Sequence, residues 1–191
     1  MPMLAFILLS YIFTAQGSDP KRLDDLLKRT IVDYDEIEFI SLLKFDKNQD
    51  NITKSKSIIT SAETRFSLLA NNLETFLKSD MICSVIYRCL EFVEEIIDNL
   101  KKYFDLGENK NSQLHENYKK LSSDINDCKQ KIYDFISLPR DKSNPRRVID
   151  LNRILNYVPE SEQFGNFKNE LLKMSELLTK IREIYDNIWK L

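Results

Sequence analysis

Residues 83–92 read CSVIYRCLEF and hold two of the chain's three cysteines. Two thiols in an apolar stretch belong either to a redox or metal motif or to a core helix that carries half of a disulfide. The spacing favours the helix. Cys83 and Cys89 are six positions apart, which on an α-helix turns them about 120° away from each other. They neither pair with each other nor hold one metal without breaking that helix. There is no C-x-x-C, and the single histidine, His115, stands at no ligand spacing, so no metal site is expected. Extended in both directions, the stretch becomes a helix over roughly 81–104. Ile82, Ile86, Cys89, Val93, Ile96, Ile97 and Leu100 form its inner face, widened by Leu90 and Phe92. An apolar arc this broad places it at the centre of a helical fold.

The same period runs through the rest of the chain. Leu23, Leu27, Ile31, Tyr34, Ile37 and Ile40 predict a first helix within 20–45. A polar linker is expected over 44–57, KFDKNQDNITKSKS. A second helix over 61–78 follows from Ala62, Phe66, Leu69, Leu73 and Phe76. Leu114, Tyr118, Leu121, Ile125, Cys128, Ile132 and Phe135 repeat at four and three residues and predict a fourth helix. Pro145 opens a short one with Val148, Leu151, Leu155 and Val158. A last helix carries Phe164, Phe167, Leu171, Met174, Leu178, Ile181, Tyr185 and Ile188. The expectation is an all-α, six-helix bundle with no strand, packed in antiparallel pairs.

The first seventeen residues, MPMLAFILLSYIFTAQG, hold no charged side chain and end on a small-x-small pattern at Ala15 and Gly17. They read as a secretory signal over 1–17, too short for a membrane anchor. A single domain over 18–191 follows, secreted and extracellular. In that setting Asn51-Ile52-Thr53 is a glycan acceptor, Asn51, on an exposed loop. Lys+Arg number 28 against 30 Asp+Glu, with no long basic block, which argues against a nucleic-acid partner.

Cys89 and Cys128 fall on inward stripes. In an oxidising compartment Cys128 is expected to pair with the third helix, through Cys83 or, in competition, Cys89. Either bridge would contribute on the order of 4 kcal/mol. Catalytic motifs do not appear: there is no G-x-S-x-G, no glycine-rich phosphate loop and no H-E-x-x-H. Ser122-Ser123-Asp124 reads as a solvated helix face, as do Glu94, Glu95 and Asp98. The chain is therefore expected not to be an enzyme and to need no cofactor.

Several features in order resemble the interleukin-10 family of helical cytokines, and within it the interleukin-20 branch. Cys83 followed by Leu90-Glu91-Phe92 is similar to the start of that family's third helix. QDNIT (49–53) is similar to a segment carried after the first helix. The interval from Cys83 to Cys128 resembles the family's cysteine spacing, and KMSELL (173–178) resembles its last-helix signature. The chain departs from the pattern in lacking a cysteine over 18–45, in carrying Leu178 where the signature usually has an acid, and in a longer 54–80 segment. Heavy use of Lys, Ile, Asn and Asp suggests A+T-rich coding, as in a virus-encoded member.

The resemblance implies a six-helix bundle of the class II, interleukin-10-like cytokine type. It implies a monomeric signalling ligand, or a mimic or antagonist, that binds a heterodimer of class II cytokine receptor chains and has no membrane attachment in its mature form. It also implies where contact is made: at Lys44, Asp46, Lys47 and Asp50 in the loop after the first helix, and at Lys173, Glu176, Lys180 and Glu183 on the outer face of the last. A helical lipid carrier, its apolar faces enclosing a cavity, is the alternative from another class.

Overall fold

The computed structural model describes residues 49–79, 82–105, 113–137 and 158–189. These residues form five helices and no strand: α1 (Gln49–Asn71), α2 (Leu73–Phe76), α3 (Ile82–Asp105), α4 (Gln113–Ile136) and α5 (Glu162–Ile188). The chain is all-helical where it is described. The expected signal at 1–17, the first helix within 20–45 and most of the short helix after Pro145 lie outside the described residues.

The predicted third, fourth and last helices correspond to α3, α4 and α5 to within three residues at each end. The linker expected over 44–57 does not hold beyond Gln49, where α1 begins. Ser55 is the reason: it is fully buried, on the same stripe as Ile58, Ile59 and Ala62. A small polar side chain at a core position hides the period from a hydropathy reading. The most extensive packing between helices is that of α1 against α5. Ser175 of α5 donates from Oγ to the Glu63 carbonyl of α1 at 2.9 Å. Asn72 then ends α1 by turning its side-chain amide back to the Leu68 carbonyl at 3.0 Å. Ser161 caps α5, its Oγ accepting from the Phe164 N–H at 3.2 Å.

Cross-helix pairs fix the directions. Lys56 meets Asp186 and Glu63 meets Arg182, so α1 and α5 are antiparallel. Cys128 meets Glu170 and Phe135 meets Phe167, so α4 and α5 are antiparallel. Glu94 meets Lys129 and Phe104 meets His115, so α3 and α4 are antiparallel as well. The four long helices therefore alternate up and down around one core. Among the described residues this is the up-down-up-down order of antiparallel bundles. Phe66, Ile86, Leu90, Phe167, Met174, Leu178 and Tyr185 are wholly buried in the centre.

Candidate functional site

The outer pole of α5 carries Lys173, Glu176, Lys180 and Glu183, all exposed. They fall there because Leu171, Met174, Leu178, Ile181 and Tyr185 occupy the opposite side of the helix, buried against its neighbours. The four alternate in sign along about 15 Å of helix axis, at 1.5 Å per residue. Glu176 and Lys180 stand at the i, i+4 spacing that favours an intrahelical pair. Among the described residues, however, none of the four enters an ion pair. Elsewhere close spacing does produce pairs, at Arg88–Glu91 (2.9 Å) and Glu116–Lys119 (2.8 Å). The α5 row is thus an exposed set of charges of alternating sign.

The other proposed contact residues do not join this row. Lys44, Asp46 and Lys47 lie outside the described residues. Asp50 is exposed, in the first turn of α1. Because Lys56 is level with Asp186 in an antiparallel pair, Asp50 and Lys180 each lie six residues from that level in opposite directions. They are separated by about 18 Å along the bundle. Asp50 and the α5 row are therefore separate surfaces. Asn51 is also displaced from its expected place: it lies half-buried within α1, not on an exposed loop.

No disulfide joins the described residues, and all three cysteines are buried. The bundle register explains why Cys83 and Cys128 do not meet. Tyr87 packs beside Tyr133, Glu94 beside Lys129 and Phe104 beside His115, which puts Cys83 level with the end of α4, roughly 12 Å along the axis from Cys128. That offset exceeds the reach of a disulfide. Cys89 is closer in level, but the Cys128 thiol faces α5 and donates to the Glu170 carbonyl at 3.2 Å. The expected pairing of Cys83 with Cys128 is corrected by this geometry. Burial pushes the Cys89 thiol up to about 12, with Arg65 opposing the shift. Burial does the same for Cys128, also to about 12, assisted by the Glu170 carboxylate.

One feature escaped the sequence reading. A recess of about 420 Å³ opens between α3 and α4, with Val93, Ile97 and Ile125 on its floor and Glu94, Asp98 and Lys129 among the charges at its rim. Glu94 does not face solvent alone: Lys129 Nζ lies 2.7 Å from its Oε1. Tyr118 closes the floor, donating from its hydroxyl to the Ile97 carbonyl at 2.9 Å. Burial lifts that phenol to about 12, with smaller contributions from Asp98 and Asp105. His115 stacks flat on Phe104, ring centroids 5.2 Å apart. The signal that marks this recess is the placement of acids at 94 and 98 against a lysine at 129, legible only once the register of the α3–α4 pair is known.

Among the described residues no group of histidine, cysteine and carboxylate side chains could hold a metal ion, and no helix is long and apolar enough to cross a membrane. No family model, curated protein or solved structure matches this chain.

Proposed function

We propose that the chain is a secreted, non-catalytic helical ligand that binds class II cytokine receptor chains, with the outer pole of α5 as one contact surface. The observation that carries the ligand role is the row Lys173, Glu176, Lys180 and Glu183, exposed and without ion pairs among the described residues. Charges placed this way steer a partner and set register more than they add raw affinity. The receptor class comes from the resemblance in sequence. The finer expectation of six helices requires one within 20–45 and one after Pro145 to complete the bundle.

A lipid carrier would need an enclosed apolar cavity between its helices. The recess between α3 and α4 is open and rimmed with charge, which gives that alternative little support. An antagonist would use the same surface as an agonist and differ only in failing to signal.

The test is a binding screen of the secreted protein against class II cytokine receptor ectodomains, followed by a signalling assay on cells that carry the chains it binds. Saturable binding to at least one ectodomain is the expected result. Binding to none would overturn the proposal, and a stoichiometric lipid in an organic extract would favour the carrier.

A further inference from the structure

The sequon Asn51-Ile52-Thr53 and the helix that contains it make opposing demands. Asn51 lies in the first turn of α1 and is half-buried. Ser55, Ile58 and Ala62 follow it at i+4, i+7 and i+11, and all three are buried. Asn51 therefore continues the inward stripe of the helix. Its neighbour Ile52 packs against the core. An N-glycan is bulky and hydrated and belongs at the surface.

We propose that a glycan on Asn51 and the first turn of α1 exclude each other, so that glycosylation moves the start of α1 beyond Thr53. The inference rests on the secretion reading, because only a secreted chain meets the transferase, but on no receptor contact. In the transfer, the Asn51 amide nitrogen attacks C1 of an oligosaccharide carried on a lipid pyrophosphate. A carbon–nitrogen bond forms, the lipid pyrophosphate leaves and the amide loses one proton. Of the two ways to accommodate the product, opening the turn costs less than displacing the buried stripe. The first four N–H groups of a helix have no intrahelical partner in any case, and helix ends open at far lower cost than the core. Opening the turn releases Ile52 from the core and moves Asp50 with it. The glycan thereby controls how the Asp50 charge is presented.

Hydrogen exchange on two full-length preparations tests this. One is made in bacteria and unmodified, and the other is secreted from a glycosylating eukaryotic cell line. The informative amides are those of Thr53 to Ser57, which bond back to the carbonyls of the first turn. In the glycosylated protein they are expected to exchange about tenfold faster than in the bacterial protein, with α3 and α5 unchanged. Secreted protein unmodified at Asn51 should match the bacterial protein. Glycosylated protein with undiminished protection over 53–57, or unmodified secreted protein that has lost it, would overturn the inference. Neither readout depends on receptor binding, so failure here is distinct from failure of the proposed function.

Discussion

Lys129 on α4 holds Glu94 on α3 at 2.7 Å, with the lysine side chain only 19% exposed. The pair joins the two helices at one end of the recess between them. Reversal to Glu94→Lys sets two ammonium groups against each other, one of them largely out of water. The expected cost is on the order of 1 kcal/mol, more than a fully exposed pair would show. Adding Lys129→Glu should restore most of it. Thermal unfolding of the two single variants and the swapped double reads this out, and an unaffected Glu94→Lys melting curve would remove the pair from the account.

The thiols should behave as buried thiols. Cys89 and Cys128 both have pKa values pushed up to about 12 by burial, and the reactive species is the thiolate. Alkylation of either in the folded protein should therefore be slow at neutral pH and remain slow to about pH 10, becoming rapid once denaturant is added. Non-reducing peptide mapping should find no Cys83–Cys128 crosslink, and recovery of that crosslink from folded protein would contradict the register described for α3 and α4.

Leu178, where the family resembled in sequence usually has an acid, is a core residue. It is wholly buried in the middle of α5, so an acid at this position has no place in the present packing. Leu178→Glu should cost at least about 3 kcal/mol, the scale for an uncompensated buried charge, and chemical denaturation measures it. A cost below 1 kcal/mol would mean that α5 is rotated relative to the arrangement described.

Glu95 provides a pH test. Its pKa is raised first by partial burial and then by the like charges of Glu91 and Asp98, with Lys102 opposing. A carboxyl whose folded pKa is raised favours the folded state while protonated. That advantage is present below the unfolded-state pKa and is lost as pH rises through the folded one. Glu95→Gln should therefore be slightly more stable than the parent at pH 7, by at most about 0.5 kcal/mol as for an exposed site. The difference should disappear in acid below the usual carboxylate range. Melting curves at both pH values decide it, and a variant less stable at pH 7 would contradict the sign.

The core helices were legible in the sequence because their apolar residues keep a strict period: Ile86, Leu90, Val93 and Ile97 on α3, and Tyr118, Leu121, Ile125 and Ile132 on α4, are all buried. The outward placement of Lys173, Glu176, Lys180 and Glu183 followed from the same period on α5. What could not be read was whatever depends on how helices sit against one another. Ser55 disguised the start of α1 because hydropathy does not register a small polar residue at a buried position. The separation of Cys83 from Cys128, and of Asp50 from Lys180, could not be read for a related reason, since axial register is set by contacts such as Tyr87 on Tyr133 and Lys56 on Asp186.

Receptor binding by the α5 row, as proposed above, is tested by reversing charges within it. Lys173→Glu combined with Lys180→Glu changes two exposed charges, neither in an ion pair among the described residues, and leaves the buried stripe untouched. Affinity of this double variant for the class II cytokine receptor ectodomain that binds the parent should fall by at least about 2 kcal/mol, roughly thirtyfold, as for contacts at the centre of an interface. Its melting temperature should stay unchanged. Unaltered affinity with the fold intact would contradict the assignment of this surface.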